Sequence, residues 1–301
     1  MTITESRPGT RLDVRPLSAN IGAELRGIDL KADLSDEEVQ AIRQALLDHK
    51  VIFFPEQHLD PVQHVAFASR FGEATPGHPV LPSLDGHPEV FQIDYQDFGA
   101  SKVYGDVAER YEAKGVSWHT DVTFVERPPL GSLLNAVVIP EAGGDTYFSN
   151  QQAAYDGLSE PLKAFIDTLT AVHDGSATFA PALEYLRQEG KEGSWEGEAI
   201  RALEPVEHPV VRTHPETGEK ALFVNPGFTS HIKELKRAES DALLELLYAH
   251  SVRPEFTVRY HWTPGALGFW DNRVTQHSVV GDIGDQPRVI QRVTLRGDEP
   301  R

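Results

Sequence analysis

Turn-forming residues constrain this chain more than any other feature: 21 prolines and 24 glycines cut its apolar stretches into strand-length pieces. Leu12–Pro16 alternates like a strand, and Val51–Phe54 is fully apolar and stopped by Pro55. Further strand-like segments fall at Val90–Ile93, Ser117–Phe124, Ser132–Val138, Thr146–Ser149, Val210–Thr213, Ala221–Val224, Glu255–Trp262, Ala266–Trp270 and Arg288–Leu295. Many short strands joined by turns such as Pro264-Gly265 predict a β-sandwich or barrel. Helices are expected at its periphery. Ser35-Asp36-Glu37-Glu38 reads as a capping box, followed by Val39, Ile42 and Leu46 on one face as far as His49-Lys50. Asp60-Pro61 opens a second helix that Gly72 closes, Ser159-Glu160-Pro161 a third that runs to about Thr170, and Ala238–His250 is amphipathic. Two stretches break the pattern. Residues 74–117 are crowded with Pro and Gly, and residues 175–205 are polar with Gly190, Gly193 and Gly197, which reads as a mobile insertion with short helical pieces. Long irregular segments are commonly functional.

Charge and cysteine content narrow the chemistry. Lys and Arg number 28 against 46 Asp and Glu, a formal charge of −18. That argues against a basic groove for nucleic acid and suits a solvated surface. There is no cysteine, so disulfide scaffolds, zinc fingers, iron–sulfur clusters and thiol nucleophiles are excluded, and any metal must be held by His, Asp or Glu. No apolar run has the length of a signal peptide or membrane span, so the expectation is a soluble, cytoplasmic protein without a membrane partner.

One short motif stands out. Trp118-His119-Thr120-Asp121 places an imidazole and a carboxylate two residues apart on an expected strand, where they point to the same side. A third ligand is then needed from elsewhere, and His277, after Phe269-Trp270-Asp271-Asn272, is the best candidate. Two His and one carboxylate on one face of a metal leave open positions for a chelating cosubstrate and O2, the pattern of non-haem Fe(II) sites. Arg288 and Arg292 share one face of the last strand. Two inward arginines require anionic partners, because unpaired buried charge is costly.

With these residues in view, the chain resembles the taurine dioxygenase and 2,4-dichlorophenoxyacetate dioxygenase family of Fe(II)/2-oxoglutarate enzymes over nearly its whole length, the taurine dioxygenase branch most. The similarity is densest in WHTDVTFVERPP (118–129), GGDTYFSN (143–150), HPVVRTHPETGEKALFVNPGFT (208–229) and WDNRVTQH (270–277). The resemblance implies a single domain over residues 1–301 with a double-stranded β-helix (jelly-roll) core. It implies His119, Asp121 and His277 as iron ligands, and Thr146 and Arg288 as the grip on the distal carboxylate of 2-oxoglutarate. It further implies Arg292 and His78 as holders of the substrate's anionic head, with Val122 and Phe228 lining the pocket. Segments 74–117 and 175–205 become candidate active-site loops, and a homo-oligomer (dimer or tetramer) is expected. The implied activity hydroxylates the carbon next to the sulfur group of a sulfonate, releasing sulfite, aldehyde, succinate and CO2.

Two departures bear on the substrate. Where the taurine branch carries a tyrosine after the loop histidine, this chain has Leu81, and where it carries an asparagine before the first iron ligand, this chain has Gly115. Both changes make the pocket roomier and more apolar, which brings longer alkanesulfonates, alkyl sulfate esters and phenoxyalkanoates into consideration as the small anionic substrate. Outside the family, a zinc hydrolase would need a general base that the motif blocks lack and would leave Arg288 unexplained. A non-catalytic jelly-roll binding protein would not require a complete triad with two inward arginines.

Overall fold

A computed structural model describes residues 12–95, 118–188 and 203–301. Its centre is a seven-stranded sheet in the order β1 (Asp13–Pro16), β2 (Ala23–Arg26), β3 (Val51–Phe54), β13 (Leu267–Asp271), β5 (Gly131–Val138), β15 (Val289–Leu295), β4 (Phe91–Asp94). All pairings are antiparallel except β2 with β3. A three-stranded sheet of β12 (Thr257–Tyr260), β6 (Thr146–Asn150) and β14 (Thr275–Val279) completes the jelly roll. Strand β13 passes into β14 through the short turn 272–274 and so stitches the two sheets together. The chain is mainly β with peripheral helices, as its punctuation predicts.

Both faces of the large sheet are covered, and strand periodicity decides which residue faces which cover. Ile52 and Phe54 join Leu267 and Phe269 against two helices, α1 (Asp36–His49) and α2 (Pro61–Ala68). Val51 and Phe53 point the other way, into an aromatic core with Phe148, Tyr260, Trp262 and Trp270 between the sheets. There Phe53 stacks on Tyr260 with centroids 3.6 Å apart and meets Phe148 edge-on at 5.6 Å. Burying such a side chain contributes about 1.5–3 kcal/mol. A third cluster packs α3 (Gln151–Asp156), α4 (Glu160–Ile166) and α6 (Arg237–Ser251) around β7 (Thr170–His173), β9 (Val211–Thr213), β10 (Lys220–Leu222) and β11 (Thr229–Ile232), with β8 (Val206–Pro209) paired to β7. No helix among the described residues is long and apolar enough to cross a membrane.

Several local expectations need correction. Helix α1 has the capping box read from its sequence, with Glu38 N–H on Ser35 Oγ and Ser35 N–H on Glu38. Helix α2 ends at Ala68, short of Gly72, because the next turn tightens. Arg70 and Phe71 N–H bond to the carbonyls of Phe67 and Ala68, three residues back. Helix α4 stops at Ile166, and Thr170 already belongs to β7. Residues 176–188, expected to be part of a polar insertion, form one 13-residue helix, α5 (Ser176–Gln188); residues 189–202 lie outside the described residues. So do residues 96–117, which include Gly115.

Of the expected strand 117–124, the described residues 118–124 do not form a strand. Their one pairing among the described residues is an isolated bridge between His119 and His277. After it the backbone turns, with Val122 at φ +54°, a left-handed conformation that a β-branched residue adopts only under constraint. The constraint is a buried polar net. Thr123 Oγ1 meets His173 Nδ1 at 2.9 Å and accepts from Asn225 Nδ2 at 3.0 Å, while His208 Nε2 lies 3.0 Å from both the Thr123 and Val125 carbonyls.

Candidate active site

The bridge joins two segments far apart in the chain. His119 N–H donates to the His277 carbonyl at 2.9 Å, and His277 N–H donates back at 2.8 Å. This brings the two imidazole rings to 4.3 Å between centroids. The turn after His119 then swings Asp121 in beside them. His119, Asp121 and His277 each offer one ligand atom, and these atoms lie within 4.8 Å of one another, close enough for one metal ion. Convergence thus comes from a bridge and a strained turn rather than from strand alternation.

The cluster is buried apart from one edge of His119. Burial disfavours the charged carboxylate, but its neighbours, the Arg292 guanidinium foremost, outweigh it and hold Asp121 down at about 2. Burial and the neighbouring His119 push His277 down to about 3, so its ring is neutral and available as a ligand. His277 Nδ1 is buried without a hydrogen-bond partner among the described residues. Ser132 Oγ donates to Asp121 Oδ2 at 2.6 Å, and Arg292 Nη1 donates to Oδ1. A buried set of two imidazoles and one ionised carboxylate fits a divalent metal.

Arg288 is fully buried. Among the described residues it makes one long hydrogen bond, 3.3 Å from Nη2 to the Gly144 carbonyl, and its guanidinium lies 4.8 Å from the Tyr95 ring centroid. Nε and Nη1 have no partner among the described residues. Gly144 makes the close approach possible, since a Cβ there would lie 3.1 Å from Arg288 Nε. Two residues on, Thr146 Oγ1 accepts the Trp262 indole N–H at 2.9 Å, which leaves the hydroxyl proton free to donate. A buried cation with two unused donors is the complement of an anion, so Arg288 and Thr146 fit a carboxylate ligand such as 2-oxoglutarate.

The remaining sequence-derived residues also gather here. Leu81, Val122 and Phe228 sit in one apolar cluster with Phe91, Phe124 and Phe179. His78 packs 5.2 Å from Phe91, and the Arg292 guanidinium lies 5.3 Å from the same ring, with Arg292 Nε unpartnered among the described residues. His78 Nδ1 accepts the N–H groups of Val80 and Leu81, which leaves its proton on Nε2. Burial and the nearby Arg292 push it down to about 3, so it is a neutral donor. Phe179 of α5, 5.0 Å from His78, escaped the sequence reading because its segment reads as polar and Gly-containing. Ser132 and Asn272 escaped it too. Both lie within stretches singled out for other reasons, and only the geometry gives them neighbours.

The fold, the converging triad and the unpaired arginine define an α-ketoglutarate-dependent dioxygenase of jelly-roll type. Comparison with known proteins agrees: residues 13–294 match the taurine catabolism dioxygenase TauD, TfdA family, and the chain belongs to that family. It is 42% identical over 293 residues to an alpha-ketoglutarate-dependent sulfate ester dioxygenase of Pseudomonas putida, covering 96% of this chain and 91% of the relative. It is 39% identical over 307 residues to an alkylsulfatase of Acinetobacter baylyi, covering 99% and 89%. A crystal structure of a taurine dioxygenase from Burkholderia xenovorans superimposes with a TM-score of 0.78 at 44% identity, covering 96% of this chain and 92% of that one.

Proposed function

We propose that this dioxygenase hydroxylates the carbon that carries the sulfur group of a small organosulfur anion, with alkyl sulfate esters as its preferred substrates. The sequence alone puts sulfonates first. The relatives named for sulfate esters and alkylsulfatase activity move the ester forward, and the resemblance to a taurine dioxygenase keeps the sulfonate as the second reading. The observation that carries the proposal is the pair of arginines on one strand, Arg288 and Arg292, both buried with unpaired N–H groups and the second bonded to Asp121 of the triad.

In this reading His119, Asp121 and His277 hold Fe(II) through two imidazoles and a carboxylate. The bound ion supplies the redox chemistry that couples decarboxylation of 2-oxoglutarate by O2 to hydroxylation of the substrate carbon. Arg288 and the Thr146 hydroxyl bind the far carboxylate of 2-oxoglutarate and fix which way it enters. Arg292 and the Nε2–H of His78 hold the anionic head of the substrate. Leu81, Val122 and Phe228, with Phe124 and Phe179, surround the alkyl part and exclude water from it. Helix α5 brings Phe179 into the wall of the pocket. For a sulfate ester, the hydroxylated carbon collapses: its C–O bond to sulfate breaks, the new hydroxyl loses its proton, and aldehyde and sulfate leave.

A substrate panel scored by succinate formation tests this. Alkyl sulfates of medium length should give the highest kcat/KM, alkanesulfonates less, and taurine and phenoxyacetates least. A panel led by taurine would overturn the ester preference, and one in which no sulfur-containing anion yields succinate would overturn the substrate class.

A further inference from the structure

The carboxylate of Asp121 is held from behind by a hydrogen-bonded relay. Its Oδ2 accepts from Ser132 Oγ at 2.6 Å, Ser132 Oγ accepts from Asn272 Nδ2 at 2.7 Å, and Asn272 Oδ1 accepts from the Trp270 indole N–H at 2.9 Å. All four residues are buried. The relay stands on rigid backbone: Ser132 pairs with Trp270 across β5 and β13, and Asn272 N–H bonds to the Leu130 carbonyl at 3.0 Å.

Chemistry fixes the direction of the relay. An indole N–H can only donate, so the amide oxygen of Asn272 must face it and the amide NH2 must face Ser132. Ser132 therefore receives a proton from Asn272 and has its single hydroxyl proton left for Asp121. Every group is satisfied in one sense only, and the plane of the carboxylate is set by residues that lie outside the triad. Its Oδ1 is turned to the side of His119, 3.9 Å from Nε2.

We propose that Ser132 and Asn272 are positioning residues for the metal site. They hold Asp121 by Oδ2, so that Oδ1, which also accepts from Arg292 Nη1, keeps a lone pair on the His119 side for the metal in a fixed orientation. The proposal rests on reading His119, Asp121 and His277 as that site. Partners of this kind that orient a ligand are worth about 10–100-fold in metal affinity.

Anaerobic equilibrium dialysis of the metal-free full chain against Fe(II) alone tests it, with urea midpoints measured in parallel. Ser132→Ala and Asn272→Ala should each bind Fe(II) about 10–100-fold more weakly than the unmodified chain. Because the two act in series, the double variant should bind no more weakly than Ser132→Ala. Affinity within about twofold of the unmodified chain in both folded variants, with or without a lowered urea midpoint, would overturn the proposal and leave the relay a structural contact. If Ser132→Ala does not fold, Asn272→Ala decides by the same criterion. Asp121→Ala keeps the two readings apart. It should abolish Fe(II) binding while the fold persists, and if it does so while Ser132→Ala and Asn272→Ala bind normally, only the relay proposal falls. Undiminished binding by Asp121→Ala would bring down the metal site itself.

Discussion

At the scale of single residues, the contrast among buried arginines is the most informative observation. Arg212 is held bidentately by Asp298, and Arg273 by Asp271 with Glu216 beside it. Each of those guanidiniums has a carboxylate partner within the protein, although Arg212 Nε has no partner among the described residues. Arg288, as deeply buried, meets a backbone carbonyl and an aromatic ring. Burial lowers its pKa, against a smaller opposing influence of Tyr95, so the fold carries the cost of a charge it does not neutralise. The division of labour proposed for the two arginines follows. Arg288→Ala should raise the KM for 2-oxoglutarate by roughly 100-fold, as expected for loss of a desolvated charge pair. Arg292→Ala should raise the KM for the organosulfur substrate far more than that for 2-oxoglutarate. Succinate assays with each ligand varied in turn check both, and equal losses of the two affinities in Arg292→Ala would remove its assigned role.

Elements show what patterning reveals and what it hides. Helix α1 was legible to the residue at its start, because a capping box is a local device with its own sequence signature. Strand β3 was legible because four consecutive apolar residues face two apolar covers. Strand β14, which carries His277, was not recognised as a strand. Its sequence Thr-Gln-His-Ser-Val has no apolar alternation, and its neighbours are polar as well as aromatic: Gln276 Nε2 bonds to Gln151 and to the Val224 carbonyl, Thr275 Oγ1 bonds to the Asp271 carbonyl, and His277 packs on Phe148 and Trp270. The turn 121–124 was misread for a related reason. Val122-Thr123-Phe124 looks like strand sequence, and the net around Thr123 that overrides this comes from positions far along the chain. That His119, Asp121 and His277 belong together is legible all the same, since residue type and order survive even where local conformation is misjudged. Helix α2 yields a prediction of its own. Burial pushes His64, on its inner face, down to about 4. In the unfolded chain a histidine titrates near 6.5. Between those values the unfolded state holds the extra proton. The contribution of a neutral His64 is therefore intact above pH 6.5 and is lost as pH falls towards 4, by about 1.4 kcal/mol per pH unit. Urea denaturation at pH 7 and pH 5 should show a smaller loss of stability for His64→Leu than for the unmodified chain. An equal loss would mean that His64 is not the group responsible.

At the scale of the whole molecule, a net charge of −18 surrounds a site proposed to take two anions. The global field repels both, while the buried arginines attract them at short range. Salt screens the long-range part more than the buried part. Raising the ionic strength with a non-competing salt should therefore lower the KM for the organosulfur anion by a small factor. Stopped-flow or steady-state measurements from low to physiological salt check this, and a rising KM would place the dominant attraction on the surface instead. One further consequence lies in β15. Arg288 stands just before the strand and Arg292 within it, four positions apart. A strand rises about 3.3 Å per residue, so their α-carbons are separated by roughly 13 Å. The backbone thus works as a ruler between the two anion grips. In the proposed reading the head group is then registered against the cosubstrate at one set interval however long the organic tail, and evolution can lengthen the tail without moving the bond that reacts.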